Sequence, residues 1–359
     1  MIKLPKISGG QLIVLLVISR MFSMFTYKPT VYNISATAAA AAVLVSIFIN
    51  FMIFLPTLSL LKKYKGRNIS DCAYLSLGST GKIYTFFVLV VCLFLSVECI
   101  TQFEIFMTST IYVDASPAFF IIPIIIAAIY ICRLGIESMA RMASFIFSGL
   151  IITIIIVVIA VSPEISTVWI EGAGRGDVTG FFEVLRENVF GATEIIPFMM
   201  LASYTKQSHK KSIAWFCVIT GVLFEVISFL TFTVLGNYRE TIMYPFYTVA
   251  AAAEKALTER FNSAYVVLWV FMAVIKLCVY LLVSAKALKT FFVFKNDTLP
   301  LLITAGVVLT ASLVAAQRLS YVNGMYYFII SGIPVILLAL VFPAVIIAAN
   351  KIKERRKNK

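Results

Sequence analysis

The chain has 359 residues with a formal net charge of +13; 61% of them are hydrophobic and only 13% are charged. A soluble domain carries about 25% charged residues, so this composition excludes a soluble globular enzyme, a disordered chain and a fibrous repeat. Several apolar stretches exceed ~18 residues, the length that crosses a bilayer as a helix. The sequence therefore predicts an all-α polytopic membrane protein. The basic residues lie in short patches between the apolar runs, as topology signals do, which argues against nucleic acid as a partner.

Charges, prolines and glycines divide the chain into ten predicted membrane spans. In chain order they cover residues about 9–30, 34–60, 82–112, 117–133, 141–161, 187–204, 212–236, 262–291, 299–317 and 325–349. Ten spans divide into five plus five with the second half inverted, which is a transporter architecture. Repeat one then covers about 9–161 and repeat two about 187–349 of a single membrane domain, 1–350. This division pairs span 1 with span 6 and span 3 with span 8.

The lysines and arginines predict the orientation. With the N-terminus inside, seven fall on the outer side (Lys28, Arg175, Arg186, Arg239, Lys255, Arg260 and Arg318) and two inside spans (Arg20 and Lys276), which leaves 21 of the 30 on the inner side. Cytoplasmic loops carry an excess of these residues, so both termini are predicted to be cytoplasmic. The basic tail, Lys351–Lys359, is predicted to contact anionic headgroups of the inner leaflet.

Five charged residues lie near the middle of predicted spans: Arg20 in span 1, Glu98 in span 3, Glu194 in span 6, Glu225 in span 7 and Lys276 in span 8. An unpaired charge there costs at least ~2.5–3.5 kcal/mol, so these side chains must face the bundle interior and pair or contact water. Two interpretations stay open. One is a buried structural ion-pair network, and the other is a polar cavity that binds a zwitterion, a cation or a proton. Gln102 lies four residues after Glu98 and shares its helix face.

Two predicted outer segments are long. Pro163–Glu187 contains Trp169, which is typical of an anchor at the membrane interface. Thr241–Asn262 contains a run with paired charges, Val249–Phe261, and this pattern favours a helix lying on the outer surface. Such a helix is either a solvated connector or a lid over an outward vestibule.

The sixth span carries a predicted break. Gly191 and Pro197 bracket the polar pair Thr193 and Glu194; glycine permits a break and proline removes an amide. Within a membrane, irregular backbone is tolerated only inside protein or beside a wet cavity. A broken helix would offer amides to a carboxylate, and carbonyls to an ammonium or Na⁺. The alternative is a simple proline kink without a ligand.

The sequence predicts no cofactor and no metal site. The six cysteines form no CxxC pattern and no Cys/His cluster, so they are predicted to be small buried hydrophobes. The one histidine, His209, lies in a basic loop. A nucleophile–base pair and a phosphate-binding glycine loop are also missing from the sequence pattern, which disfavours an enzyme.

One inner segment resembles a known family. Arg133–Arg141 reads RLGIESMAR, which resembles the G-I-E-x-x-A-R hallmark of the spore germination permease family, the B subunits of nutrient germinant receptors. Phe190–Glu194 is similar to the broken sixth helix of that family, and Tyr244–Tyr247 and Ile275–Leu281 are similar too. The resemblance covers essentially the whole chain.

The resemblance implies an amino-acid-permease-like fold with ten helices in a 5+5 inverted repeat, in which helices 1 and 6 are broken. It also implies a germinant-sensing role in the spore inner membrane, with receptor A and C subunits as partners. One departure concerns span 1, where permease relatives carry small residues. The segment Ser19–Phe25 is bulky here and contains Arg20, which predicts a smaller cavity or a different class of ligand.

Within the hallmark, Gly135, Glu137 and Arg141 are the candidate structural residues. Glu137 and Arg141 are four residues apart, with the acid first, which is the favourable order for an ion pair on a helix. They are interpreted as a structural clasp with the inner loop, or as a gate.

The leading hypothesis is a receptor subunit that binds a small nutrient, most simply an amino acid, between spans 1, 3, 6 and 8. The candidate ligand-binding residues are Ser19, Phe22, Ser23, Glu98, Gln102, Gly191, Thr193 and Glu194, and the candidate charge network is Arg20, Glu225 and Lys276. Glu194 would attract the ammonium group, while Lys276 would stand in for a coupling cation or neutralise Glu98 or Glu225. The alternatives are a secondary active amino acid or cation transporter, and a scaffold that only assembles partners.

Overall fold

A computed structural model describes residues 7–26, 34–113, 115–168, 178–205, 209–253 and 261–357. The predicted anchor Trp169 and the predicted charge pairs between Glu254 and Arg260 lie outside these residues. In the described part, the regular structure is helical apart from one isolated bridge, which joins Ile7 to Thr205. Eight helices are long and apolar enough to cross a membrane, and Gly9–Met24 is a shorter apolar helix. The prediction of an all-α polytopic fold is confirmed.

The first half of the chain contains six α-helices: α1 Gly9–Met24, α2 Ala36–Lys63, α3 Ile69–Leu77, α4 Gly81–Phe106, α5 Pro117–Leu134 and α6 Ile136–Val161. The second half contains nine: α7 Val178–Phe190, α8 Ile195–Leu201, α9 His209–Leu235, α10 Pro245–Ala252, α11 Phe261–Phe292, α12 Thr298–Ala315, α13 Leu319–Ile330, α14 Ile333–Val335 and α15 Phe342–Lys357. A π-helical segment, Met107–Ile111, extends α4, and another, Ile336–Val341, joins α14 to α15.

The predicted span boundaries differ from the helices in several places, and predicted span 10 is interrupted, because α13 ends at Ile330 and α14 begins at Ile333. Span 6 is two helices, α7 and α8, and α7 begins at Val178 because its charged residues lie on one face of an amphipathic helix and not in a loop. The short helix α3 was not predicted; Asn68 caps it and Asp71 completes the capping box. In span 1, α1 is continuous through Ser19 to Met24, and the chain bends at Phe25 and Thr26.

The centre of the bundle is formed by α4 and α11. In these two spans 67% of the most apolar window is buried inside the protein, compared with 33–44% in the other six. Large side chains such as Trp269, Tyr84 and Tyr280 are fully buried there. The other spans expose residues such as Phe145 and Ile159 on their outer faces, as helices in contact with lipid do. The site described below lies where α1 and the α7–α8 connection meet this central pair.

The predicted inner loops gather at one end of the bundle. The Ile7 amide donates to the Tyr204 carbonyl at 3.1 Å, and the Tyr64 hydroxyl donates to Asn350 Oδ1 at 2.7 Å. At the opposite end, Arg239 Nη2 donates to the Ile34 carbonyl at 3.1 Å. These contacts join segments that were predicted to lie on the same side of the membrane, and the full alternation of the loops stays a prediction. The assignment of the basic end to the cytoplasm stays a prediction of the positive-inside rule.

The six cysteines are all free and buried, which confirms that they behave as small hydrophobes. Across the described ranges, His, Cys, Asp and Glu form no group of three or more that could hold a metal ion. His209 instead lies edge-on to Phe198, with ring centroids 6.0 Å apart.

The hallmark segment forms the tight turn between α5 and α6. Glu137 lies in the first turn of α6, where helix amides favour a carboxylate, and Arg141 is exposed. No ion pair joins these two side chains, and neither contacts another described residue through a hydrogen bond. The predicted ion pair between them is therefore not formed in the described part of the chain, and the clasp with the inner loop stays a prediction. The gating role stays a prediction.

Gly135 is required by this turn, because its backbone has φ 90° and ψ 172°, a region that is essentially restricted to glycine. We expect Gly135→Ala to lower the free energy of unfolding by about 1–3 kcal/mol. The matched control is Gly306→Ala in the middle of α12, where an added Cβ meets nothing within 4 Å. Detergent-induced unfolding of the purified variants measures both. Equal stability of the two variants would show that the turn tolerates a side chain.

Candidate functional site

The sixth span is broken at its centre, as predicted. The helix α7 ends at Phe190 and α8 begins at Ile195. The connecting amides bond locally: Gly191 to the Glu187 carbonyl at 2.8 Å and Thr193 to the Gly191 carbonyl at 2.9 Å. These amides are therefore not offered to a ligand carboxylate. Pro197 lies in the first turn of α8, where a missing amide costs no helix hydrogen bond, so the interpretation as a simple proline kink is wrong.

The Arg20 side chain binds the backbone carbonyls that the break leaves without helix hydrogen bonds. Its guanidinium donates to the Gly191 carbonyl through Nη1 and to the Asn188 carbonyl through Nη2, the latter at 3.1 Å. The guanidinium also lies over the ring of Phe224, 4.9 Å from its centroid, and the residue is only 6% exposed. The C-terminal end of a helix carries partial negative charge, which favours a cation there. The prediction that these carbonyls receive an ammonium or Na⁺ is corrected, because the protein supplies its own cation.

Glu194 is fully buried beside the same break. Ser19 Oγ donates to Glu194 Oε1 at 3.1 Å, and the Tyr280 hydroxyl lies 3.5 Å from the same oxygen. Thr193 Oγ1 is 2.7 Å from the Tyr280 hydroxyl, so Thr193 is already engaged by protein. The second carboxylate oxygen, Oε2, has no hydrogen-bond partner among the described residues. A buried acceptor left open in this way is costly, and a donor supplied by a ligand or water would relieve that cost.

Lys276 pairs with Glu98 across the central α4–α11 contact. Its Nζ is 3.7 Å from Glu98 Oε2, and both side chains are buried. The same Nζ donates to Ser23 Oγ on α1, and it lies over the faces of Phe22 and Tyr280 at 5.6 and 5.8 Å from the ring centroids. Of the two acidic partners predicted for Lys276, the structure therefore selects Glu98.

Glu225 does not join this network. It is half-buried, and its Oε1 has no hydrogen-bond partner in the described part of the chain. Phe224, the preceding residue on α9, is the one that contacts Arg20. Successive helix residues are 100° apart, so the face of α9 that places Phe224 against Arg20 turns Glu225 away from it, and Glu225 does not line the central cavity described below. The prediction that Glu225 belongs to the charge network is wrong for this reason.

Gln102 is buried with 1% exposure, and neither Oε1 nor Nε2 has a hydrogen-bond partner within the described ranges. It lies one helical turn from Glu98 but does not line the central cavity. Phe22 is fully buried too, and its ring packs on Trp269 with centroids 4.8 Å apart. Gln102 and Phe22 were both predicted to contact the ligand, but neither side chain lines the central cavity.

A small cavity, which we call the central cavity, lies among these groups. Its volume is about 40 Å³, enough for about three waters. Its lining comprises Arg20, Ser23, Met24, Thr26, Glu98, Glu187, Gly191, Thr193, Phe224, Lys276, Tyr326, Ile329 and Ile330. Two cations and two carboxylates face it, so their formal charges cancel. The structure thus brings Arg20, Ser23, Glu98, Gly191, Thr193 and Lys276 to one space, as predicted, with Ser19 and Glu194 directly behind it.

Several residues of the site were not predicted, and Tyr280, Glu187 and Tyr326 are among them. Tyr280 lies four residues after Lys276, so the helix period could have placed it on the same face. Glu187 was treated as the end of an outer loop, because the amphipathic helix α7 was not recognised. Tyr326 comes from α13, and no local pattern in the sequence points to its place beside the cavity.

Comparison with known proteins identifies the family. The family model described as "Spore germination protein" matches residues 6–320. No curated protein matches the chain. Among solved structures, a nucleobase-cation-symport-1 family transporter in a closed conformation with bromovinylhydantoin bound is similar, with a TM-score of 0.62 and 13% identity over 95% of this chain and 78% of that chain. That likeness confirms a transporter-like helical fold. The match over most of the chain shows that this protein belongs to the spore germination protein family of permeases.

Proposed function

We propose that the protein is the B subunit of a nutrient germinant receptor in the spore inner membrane. It binds a small zwitterion, most simply an amino acid, in the central cavity. The conformational change on binding is then passed to the A and C partner subunits. The family membership and the transporter-like fold support a permease or receptor role.

The observation that carries this proposal is the charge pattern of the central cavity. Arg20 and Lys276 face it with positive charge, and Glu98 and Glu187 face it with negative charge. A zwitterion presents both signs within a few ångströms, so it can meet both sets without leaving a net buried charge. A simple cation or anion would instead add a net charge to the buried cavity, which is costly in an interior that holds little water.

The volume of the cavity supports a sensor with two arrangements. About 40 Å³ is far below the ~300 Å³ or more of a typical small-molecule site. The described arrangement is therefore a closed one, and binding requires the cavity to expand. A ligand that binds only the expanded arrangement shifts the equilibrium towards it by its difference in affinity. Such a shift is a signal that partner subunits can detect without any flux.

The charged side chain of Glu194 provides the test. The purified protein is unfolded in the presence of amino acids, sugars and nucleosides in turn. We expect amino acids to raise its free energy of unfolding, by ~2.7 kcal/mol at a concentration of 100 times Kd. Glu194→Gln keeps the shape and the Ser19 contact but removes the charge, and it should weaken this effect at least about 10-fold. Glu164→Gln, at an exposed position, is the matched control. Stabilisation by sugars or nucleosides alone, or equal binding by both variants, would refute the proposal.

The second candidate is a secondary active transporter of amino acids or cations, which the similarity of fold favours. Counterflow in proteoliposomes separates the two functions. Saturable uptake by the isolated subunit would establish the transporter, whereas binding without uptake supports the receptor. A scaffold that only assembles partners would leave the nutrient response of Glu194→Gln spores normal.

A further inference from the structure

A separate cavity, which we call the interfacial cavity, lies at the predicted inner end of the bundle. Its volume is about 240 Å³, and it lies between α3, the first two turns of α4 and the end of α11. Its polar lining residues are Ser70, Asp71, Tyr74, Lys82, Thr85 and Thr290, and its apolar ones are Phe291 and Val293. Predicted span 3 begins and predicted span 8 ends at this level, so the cavity lies where phospholipid headgroups meet the protein.

The interfacial cavity carries one charge of each sign, and the two are not paired. Lys82 is exposed and forms no hydrogen bond or ion pair with any residue of the described ranges. Asp71 accepts from the Asn68 amide through Oδ2 at 3.4 Å, while its Oδ1 has no hydrogen-bond partner there. Arg67, the other cation near Asp71, is exposed and does not line the cavity. A free ammonium and a free carboxylate oxygen on one cavity fit a ligand that carries both signs.

A buried hydroxyl lies beside the free ammonium. Thr85 follows Lys82 by three residues on α4, so the two share a helix face. Thr85 is only 3% exposed, and its hydroxyl makes no hydrogen bond within the described ranges. By contrast, the Thr290 hydroxyl donates to the Lys286 carbonyl of its own helix at 2.9 Å. A buried hydroxyl without a partner is costly, and an anionic oxygen held by Lys82 would accept from it.

The surface beside the interfacial cavity is apolar. Ile83 and Phe86 on α4 are exposed, as are Phe292 and Val293 at the end of α11. The ring of Phe86 packs against that of Phe291 with centroids 5.7 Å apart, so the two helices present a continuous apolar face. Acyl chains cover such a face in a bilayer, whereas a soluble ion leaves it bare. The neighbourhood of the cavity therefore fits an amphiphile with a zwitterionic head.

We propose that the interfacial cavity binds the headgroup of an aminophospholipid, phosphatidylethanolamine, from the adjacent leaflet. The phosphate lies against Lys82 and the Thr85 hydroxyl, and the ammonium lies against Asp71. The acyl chains run along the apolar face that includes Phe86 and Phe292. An anionic lipid would satisfy Lys82 but place no donor of opposite charge at Asp71. A choline headgroup carries three methyl groups on its nitrogen, so it donates no hydrogen bond to the carboxylate.

The test measures binding of phosphatidylethanolamine, phosphatidylcholine and phosphatidylglycerol with identical acyl chains to the delipidated full-length protein, by native mass spectrometry. We expect phosphatidylethanolamine to bind at least about 10-fold more tightly than the other two, because only it makes charge-assisted hydrogen bonds at both ends of the cavity. Equal binding of all three lipids would show that the acyl chains alone are recognised, and tighter binding of phosphatidylglycerol would show a basic patch for anionic lipids. Either result would overturn the proposal.

The source of the headgroup is tested by competition with soluble glycerophosphoethanolamine, which has the same polar groups and no acyl chains. We expect it to compete at least about 100-fold more weakly than the lipid, since it covers none of the apolar face. Competition as strong as that of the intact lipid would assign the cavity to a soluble ligand and contradict the proposed lipid.

Three variants locate the site, and their unfolding profiles establish that each is folded. Thr85→Val keeps the shape of the side chain but removes the hydroxyl, and Lys82→Gln removes the cation; each should weaken phosphatidylethanolamine binding about 10-fold. Asp71→Asn should bring its affinity down to that of phosphatidylcholine. The matched control is Lys65→Gln, an exposed lysine at the same end of the bundle that does not line the cavity. If the control weakens binding as much as Lys82→Gln, or if the folded Thr85→Val and Asp71→Asn variants keep the wild-type affinity and selectivity, the proposal is wrong.

Discussion

Replacing Lys276 with methionine will lower the free energy of unfolding by about 3–5 kcal/mol, because it leaves Glu98 charged and unpaired in the core. The pair spans 3.7 Å, and the two side chains are 2% and 8% exposed, so solvent cannot take the place of the lost partner. The Ser23 hydroxyl also loses its contact with Nζ. Detergent-induced unfolding of the purified variant measures this loss.

The double variant Lys276→Met with Glu98→Gln should recover most of that loss, since it leaves no unpaired charge. The control is the exposed pair of Lys289 and Asp297, which lie 2.5 Å apart with side chains 34% and 85% exposed. Lys289→Met should cost no more than ~1 kcal/mol. If the two core substitutions were additive, the proposed coupling between them would be absent.

Arg20→Met is expected to lower the free energy of unfolding by about 3 kcal/mol or more, since it removes two hydrogen bonds made by a charged donor. Their acceptors are the Asn188 carbonyl in the last turn of α7 and the Gly191 carbonyl just after that helix. The loss should also abolish the nutrient response, because the C-terminal end of α7 loses the side chain that ties it to α1. Arg318→Met, at an exposed position, is the matched control and should leave both readouts unchanged.

The effect of Na⁺ on thermal unfolding tests the role of Arg20 more specifically. If Arg20 takes the place of a cation, the wild-type protein has no use for Na⁺ at the break, and exchange of Na⁺ for choline should not alter its thermal unfolding. In Arg20→Met the carbonyls are free, so Na⁺ should stabilise the variant and choline should not. A wild-type protein that Na⁺ stabilises, or a variant that Na⁺ leaves unchanged, would contradict the role assigned to Arg20.

The depth of the buried charges could be predicted from the sequence, whereas their partners could not. Counting residues along each span places Arg20, Glu98, Glu194 and Lys276 in one layer, and the cost of burial requires them to face inward. The count does not give the rotation of each helix about its axis. For that reason the sequence leaves two acidic residues as possible ion-pair partners of Lys276. It also predicts that Glu225 faces the centre of the bundle, whereas Phe224 takes the direction towards Arg20.

Tertiary contacts explain most of what the sequence left unpredicted. The capture of the Gly191 carbonyl by Arg20 joins residues that are 171 positions apart, and no local pattern encodes it. A larger cavity of about 220 Å³ at the predicted outer end of the bundle is likewise built from the ends of several helices. By contrast, the break itself was predictable, because the glycine, the polar pair and the proline that create it are adjacent in the chain.

The central claim is tested most directly by calorimetric titration of the purified protein with the amino acid that stabilises it most. The titration is repeated with the Lys276→Met, Glu98→Gln double variant. The two substitutions leave that variant folded but remove one charge of each sign from the central cavity. We predict saturable binding to the wild-type protein and none to the folded double variant. Equal binding to both proteins would place the nutrient elsewhere and contradict the account.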